Sequence, residues 1–317
     1  MKHELIQPIR GIIPPLVTPL TDTCQLDVAG LERLIEHVLD GGVHGLFLLG
    51  TTGEGPSLPL KVQHSLVRHA CRLVDRRVPL LVSISHSCVA ESLELANFAA
   101  DLGCDAVVAT PPYFFPLPQS DVLKYYQQLI PSLPLPLMLY NMPAVTGTHI
   151  EYETAQRLAE QECVLGIKDS SGSLDTFKQF IELTKARPDF SVLVGPEHLL
   201  GTTLAMGGSG GVSGGANVWP QVFVGLYDAS LNNLQQAVAQ LSRSIDDFGE
   251  IYRVGPVSIP AIIARTKSAL SNRNICSDTT ATPIHRVTPA EKERIDAILN
   301  QLALAGHHDN AKLPLRG

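Results

Sequence analysis

Short apolar, strand-like runs alternate with amphipathic, helix-like runs from the N-terminus to about residue 230. Alternation of the two periods is the signature of repeated βα units. Eight pairs can be drawn, with strand runs at 11–17, 45–49, 79–84, 106–109, 135–140, 164–168, 190–194 and 211–213. Helical patterns follow them, beginning near Asp27, Pro59, Val89, Ser120, Glu151, Leu174, Leu199 and Pro220. The first is the clearest: Leu31, Leu34, Ile35, Val38 and Leu39 recur at helical spacing, and Gly41-Gly42 ends the run. A stripe of that kind packs against a sheet.

Residues 231–305 contain no strand-like run and predict three further helices, at 231–252, 259–270 and 289–304. Eight βα units can close into a barrel or open into a doubly wound sheet. The open sheet carries phosphate-binding glycines directly after its first strand, whereas here Thr18-Pro19-Leu20-Thr21-Asp22 follows. The expectation is therefore an α/β protein, a (β/α)8 TIM barrel over 1–230 with a C-terminal three-helix appendage over 231–305 and a polar tail over 306–317. A chain of 317 residues suits one barrel of this kind.

Composition narrows the function. Hydrophobic residues make up 44% of the chain, enough for a large core, and the net charge of −7 with no basic run argues against nucleic acid. Neither an apolar leader core after Met1-Lys2-His3 nor an unbroken apolar span is present, so a soluble, cytoplasmic protein is expected. Six cysteines, Cys24, Cys71, Cys88, Cys104, Cys163 and Cys276, form no C-x-x-C pair and are expected to be free and mostly buried.

In such a barrel the chemistry lies beyond the C-terminal strand ends, and those ends deliver a polar set. They give Thr18, the turn Gly50-Thr51-Thr52-Gly53-Glu54-Gly55, Ser85-His86, Thr110-Pro111-Pro112-Tyr113 and Tyr140-Asn141-Met142-Pro143. Lys168-Asp169-Ser170-Ser171, Gly195-Pro196-Glu197-His198 and Ser213-Gly214-Gly215-Ala216-Asn217 complete them. Lys168 ends the apolar run Val164-Leu165-Gly166-Ile167. Desolvation at a strand's inner end penalises the ammonium form and favours the neutral, nucleophilic amine; the plainer reading is a lysine that buries its stem and snorkels to water. The glycines around Thr51 and Thr52 expose backbone amides and two hydroxyls that can hold a carboxylate, or else form an ordinary βα turn. Tyr140 either works beside Lys168 or plugs the barrel top.

Metal chemistry is not supported. Histidines 37, 44, 64, 69, 86 and 149 show no H-x-H or H-E-x-x-H spacing and are expected mainly at the surface, with His307-His308 in the tail. The run Gly207-Gly208-Ser209-Gly210-Gly211 precedes the eighth strand, away from the chemistry, and is read as a tight turn. Gly214, beyond that strand, can let a ligand approach closely.

Taken together, Gly50-Thr51-Thr52-Gly53-Glu54, Tyr140-Asn141-Met142-Pro143 and Gly166-Ile167-Lys168-Asp169 resemble the motifs of the dihydrodipicolinate synthase / N-acetylneuraminate lyase family, with the tyrosine 28 residues ahead of the lysine as in the family. The resemblance covers almost the whole chain. It implies a class I mechanism without metal or cofactor, in which Lys168 forms a Schiff base with pyruvate or another 2-oxo acid and the resulting enamine adds to, or is released from, an aldehyde. Matched by position, Tyr140 would shuttle protons with Thr51 in its relay, Thr51 and Thr52 would hold the carboxylate, and Gly195 and Val212 would line the pyruvate pocket. Glu197 and His198 match a segment that binds substrate hydroxyls in sialic acid lyases. The family is usually a tetramer built from dimers.

Two departures bear on substrate. Dihydrodipicolinate synthases carry an arginine two residues after Tyr-Asn-x-Pro, where this chain has Val145. Their pair of tyrosines after strand four is Tyr113-Phe114 here, either of which would reach a neighbouring subunit's site. These departures favour an aldolase or lyase acting on a 2-keto-3-deoxy sugar acid or a similar hydroxylated 2-oxo acid. Dihydrodipicolinate synthesis, keto-deoxy acid dehydration and a non-catalytic small-acid sensor are the alternatives.

Overall fold

In the computed structural model, residues 8–304 are described. Eight short parallel strands form one sheet in the order β1-β8-β7-β6-β5-β4-β3-β2. They are β1 (Gly11–Ile12), β2 (Leu46–Leu48), β3 (Leu80–Ser83), β4 (Ala106–Ala109), β5 (Leu137–Asn141), β6 (Val164–Asp169), β7 (Ser191–Val194) and β8 (Gly210–Gly211). The seam between the first and second strands is closed by a parallel bridge from Pro15 to Phe47, so the sheet is a (β/α)8 barrel. The first strand is shorter than its apolar run because Pro14 and Pro15 have no N–H for a ladder. Asn217 mends the seam: its amide donates to the Pro15 carbonyl at 2.9 Å and accepts from Val17 N at 3.0 Å.

The barrel helices are α1 (Val28–Asp40), α2 (Leu60–Val74), α3 (Val89–Asp101), α4 (Gln119–Leu129), a one-turn α5 (Pro143–Thr146), α6 (Tyr152–Ala159), α7 (Leu174–Ala186), α8 (Leu200–Ala205) and α9 (Pro220–Leu231). Asp27 caps α1, accepting from Gly30 N at 2.9 Å, and Leu31, Leu34, Ile35 and Val38 form its buried stripe. The appendage follows as α10 (Gln235–Phe248), α11 (Ile259–Asn272) and α12 (Pro289–Leu304). The helix expected from 231 starts four residues later, because a turn with Asn233 at φ 54° separates it from α9. The tail expected at 306–317 and the pair His307-His308 lie outside the described residues.

Every strand residue is buried, as a parallel sheet covered on both faces requires. Ile13, Phe47, Leu81, Ala106, Val108, Met138, Tyr140, Leu165, Leu193 and Val212 fill the barrel's interior, and the larger core lies between barrel and helices. The glycine run is partly strand: Gly207 turns at φ 96°, but Gly210 and Gly211 are β8 itself. A Cβ on Gly210 would stand 2.0 Å from the Gly11 carbonyl oxygen, so the β1–β8 contact needs glycine there.

Candidate active site

The geometry of the candidate site starts with a register slip. On β5, Met138 and Tyr140 point into the barrel, as period-two alternation demands. On β6, Leu165 is also interior, and strict alternation from it would turn Lys168 outward. The β5–β6 ladder instead shifts between Leu137 and Met138, pairing Leu137 with Val164, Met138 with Gly166 and Tyr140 with Lys168. One extra residue on β6 resets the alternation, and Lys168 joins Tyr140 and its other partner, Leu193, on the inner face.

Lys168 is 5% exposed, and its Nζ lies 4.0 Å from the centre of the Tyr140 ring and 5.0 Å from that of Phe47. It has no salt-bridge partner among the described residues. The Tyr140 hydroxyl is 3.2 Å from Thr51 Oγ1. Burial pushes the Tyr140 phenol up, but the charge of Lys168 and hydrogen bonds with Thr51, Lys168 and Ser170 outweigh it and hold the phenol below its ordinary value. An acid of that kind next to an amine can both give and take a proton.

Around this pair lies a cavity of about 310 Å³, the lower end of the size range for small-molecule sites. Lys168, Tyr140, Thr51, Thr52, Gly195, Val212, Glu197, His198 and Gly214 all line it. Tyr113 does not; it is half-buried, and its carbonyl accepts from Ser87 Oγ at 2.8 Å. Val145 is 46% exposed on α5 and also stands apart from the lining. Among the lining residues, Lys168 is the sole lysine or arginine.

The strand ends are held by side chains that read as candidates for chemistry in the sequence. Asn141 donates to the Asp169 carboxylate at 2.7 Å and accepts from Ile150 N at 2.9 Å, while Ser171 Oγ donates to Asp169 at 2.9 Å. Thr18 Oγ1 donates to the Gly53 carbonyl at 2.7 Å, fixing the Thr51-Thr52 turn. Behind that turn Glu54, at φ 60°, is fully buried with Lys267 of α11 in an ion pair. Glu54 also accepts from Ala281 N at 2.6 Å, and Lys267 donates to the Thr279 carbonyl at 2.6 Å. Burial lowers the Lys267 ammonium, and the Glu54 carboxylate offsets this only in part. Gly195 is required for close packing, since a Cβ there would fall 1.9 Å from Ser170 Oγ.

Glu197 is half-buried as a residue, but its carboxyl is turned inward. Oε2 accepts from Gly215 N at 2.7 Å, and Oε1 is buried without a hydrogen-bond partner close to the buried Tyr252 hydroxyl. Burial pushes this carboxyl up to about 7, against the hydrogen bond from Gly215 and the nearby Tyr252 hydroxyl. His198, its neighbour, is exposed.

The sequence reading did not single out Tyr252, Ile259, Ile262 and Ile263, which come from the appendage and wall the mouth of the cavity. No strand-end rule could place them, because they arrive by tertiary packing alone. The cysteines are free but not mostly buried: Cys24 and Cys88 are exposed, Cys71 and Cys163 half-buried, Cys104 and Cys276 buried. Of the six histidines, His86 and His149 are exposed and the others half-buried. No group of three or more metal-binding side chains occurs among the described residues, and no helix among them is long and apolar enough to cross a membrane.

A barrel with one buried lysine at the inner end of its sixth strand, paired with a tyrosine of the fifth, defines an amine-bearing enzyme site. The family follows from comparison. Residues 8–302 match the model of the dihydrodipicolinate synthetase family, and the chain belongs to that family, whose members are lyases. The putative 2-dehydro-3-deoxy-D-gluconate aldolase YagE of Escherichia coli K12 is 38% identical over 69% of this chain and 73% of its own. Its crystal structure in complex with pyruvate superimposes with a TM-score of 0.88 at 32% identity, over 93% of this chain and 99% of that one. The 4-hydroxy-tetrahydrodipicolinate synthase of Methanopyrus kandleri is 36% identical over 70% of this chain and 74% of its own. The dihydrodipicolinate synthase structure from Bacteroides thetaiotaomicron gives a TM-score of 0.90 at 44% identity, over 93% of this chain and 99% of that one.

Proposed function

We propose that this chain is a Schiff-base-forming, pyruvate-dependent aldolase acting on a 2-keto-3-deoxy sugar acid or a similar hydroxylated 2-oxo acid. The observation that carries the proposal is the buried amine of Lys168 against Tyr140, with Thr51 3.2 Å from the phenol. In this reading the neutral amine attacks the C2 carbonyl of the 2-oxo acid, and loss of water leaves an iminium. Withdrawal of electrons into that iminium breaks the C3–C4 bond of the substrate, releasing an aldehyde and leaving an enamine that returns to pyruvate after protonation and hydrolysis. Tyr140, with Thr51 as its relay, moves the protons at the carbinolamine and the aldehyde oxygen. Thr51 and Thr52 hold the carboxylate, Gly195, Val212 and Gly214 present backbone to the pyruvate moiety, and Glu197 and His198 face the hydroxylated end.

Lack of a second lysine or arginine in the cavity lining favours an aldehyde without its own carboxylate, since a buried carboxylate calls for a cation, ideally a bidentate arginine. The active form is proposed to be a tetramer built from dimers; Phe114 and Phe115, 82% and 71% exposed beyond β4, are apolar surface that such packing would cover.

Incubation with pyruvate and borohydride tests the chemistry. One reduced pyruvate adduct per chain is expected, on Lys168, and none in Lys168→Ala. Trapping on another residue, or none in the native protein, would sink the mechanism and return the chain to a sensor role.

A further inference from the structure

At the opposite end of the barrel from the lysine, α2 and the turn after α3 bring two cysteines together. Cys71 and Cys104 are 33 residues apart in sequence, and their sulfurs are 3.2 Å apart. Cys71 is half-buried and lines a cavity of about 410 Å³, whereas Cys104 is buried behind it and does not line the cavity. Both the first residue of β3, Leu80, and Asp105, just ahead of β4, border this cavity, which places it away from the aldolase mouth.

The cavity wall is basic. Arg68, Arg72 and Arg76 line it, all three exposed, and none has an ion-pair partner among the described residues. Arg68 lies over the Phe98 ring at 5.4 Å. Two acids share the wall, Asp75 and Asp105, and the latter already accepts from Leu80 N at 2.8 Å. Three guanidiniums lining the cavity that the half-buried Cys71 also lines make an attractive field for an anion. The hydrogen bond between the sulfurs holds the Cys71 thiol below its ordinary value, against burial and the charge of Asp105, and raises Cys104.

We propose that Cys71 and Cys104 are a redox-active dithiol that exchanges with small disulfides carrying carboxylates, which the three arginines gather at Cys71. The Cys71 thiolate attacks one sulfur of the small disulfide, the S–S bond breaks, and one small thiolate leaves and takes a proton from water. Cys104 then releases its proton to water and attacks the Cys71 sulfur of the mixed disulfide, expelling the second small thiolate. Two protein thiols are oxidised by two electrons, and one small disulfide is reduced to two thiols. The accessible residue attacks and the buried one resolves, the order found in two-cysteine redox sites. The sulfurs have only about 1 Å left to close to bonding distance. The dithiol lies apart from Lys168 and its cavity, so its exchange can be followed without substrate.

The reduced full-length protein is exposed to glutathione disulfide (anionic), hydroxyethyl disulfide (neutral) or cystamine (cationic) at low and high salt. Free thiols are then blocked, and the intact mass and peptide map are read. Expected are loss of two hydrogens and a Cys71–Cys104 crosslink, formed fastest with glutathione disulfide and slowed by salt. Arg68→Gln combined with Arg72→Gln should slow the anionic reagent about tenfold, a modest share of the range for electrostatic steering, and leave the neutral one unchanged. Cys104→Ser should accumulate the mixed disulfide on Cys71; Cys104→Ala gives the same reading should the serine disturb the core. Labelling confined to the exposed Cys24 and Cys88, a mixed disulfide mapped elsewhere, or equal rates for the three reagents would each overturn the proposal.

Discussion

Replacing Glu197 by glutamine separates a buried acid from a solvated one. The carboxyl is raised from 4.5 to about 7, because burial of the charged form outweighs the hydrogen bond from Gly215 and the nearby Tyr252 hydroxyl. Between those two values the folded protein holds a proton that the unfolded chain has released. Stability therefore falls as pH rises through that window and stays at the lower level above it. At 1.36 kcal/mol per unit the shift amounts to at most about 3.5 kcal/mol, less to the extent that water enters the cavity. Glutamine keeps the oxygen that accepts from Gly215 and has nothing to ionise. Urea unfolding of native and Glu197→Gln protein across about pH 4.5–8.5 measures the difference directly. The two should be nearly equal at the acid end, and the variant should be more stable by about 2–3 kcal/mol at the alkaline end. A difference that does not change with pH would mean that the carboxyl is solvated and ionised throughout, and its inward turn would lose its physical basis.

Tyr140→Phe keeps the ring beside Lys168 and removes its proton, so turnover should drop by ~10²–10⁴ while pyruvate trapping on Lys168 survives; near-native turnover would make Tyr140 a plug. Lys267→Met leaves Glu54 charged and unpaired in the core, which should destabilise the fold by about 3–5 kcal/mol in chemical denaturation, and an unchanged midpoint would show that water reaches the pair. Without a guanidinium in the cavity lining, kcat/KM for pyruvate with aspartate semialdehyde should sit about ten- to a hundredfold below the level of an arginine-equipped site, and below pyruvate release from keto-deoxy sugar acids. Efficient use of the semialdehyde would move dihydrodipicolinate synthesis to first place.

The alternation of periods makes the barrel legible in the sequence, and the strand-end rule gathers eleven of the residues that line the cavity, with Val212 added by the family resemblance. What sequence spacing cannot carry is the sheet's register. By simple alternation from Leu165 the lysine would face the helices; only the slip opposite Leu137 and Met138 turns it inward. Polar strand-end residues are equally ambiguous in a linear reading: Asn141, Asp169 and Asn217 look like candidates for chemistry and are braces for the strand ends. The isoleucines of α11 and Tyr252 belong to another part of the chain, and nothing in their spacing points to the barrel mouth. The same holds for Cys71 and Cys104, whose pairing across α2 and the β4 turn leaves no C-x-x-C trace.

The tie between Glu54 and the C-terminal region also sets a clock. A chain made from its N-terminus has all eight strands in hand by Gly211, yet the turn carrying Thr51 and Thr52 still lacks Lys267 and the Ala281 amide that seat it. Those contacts span more than two hundred residues, so they close late in folding as well as in synthesis. A nascent barrel therefore lacks the partners that seat the Thr51-Thr52 turn, and until the last part of the chain emerges Glu54 has neither Lys267 nor the Ala281 amide to pair with. The cavity itself is complete only at the end of synthesis, when Tyr252 and the isoleucines of α11 arrive to wall it.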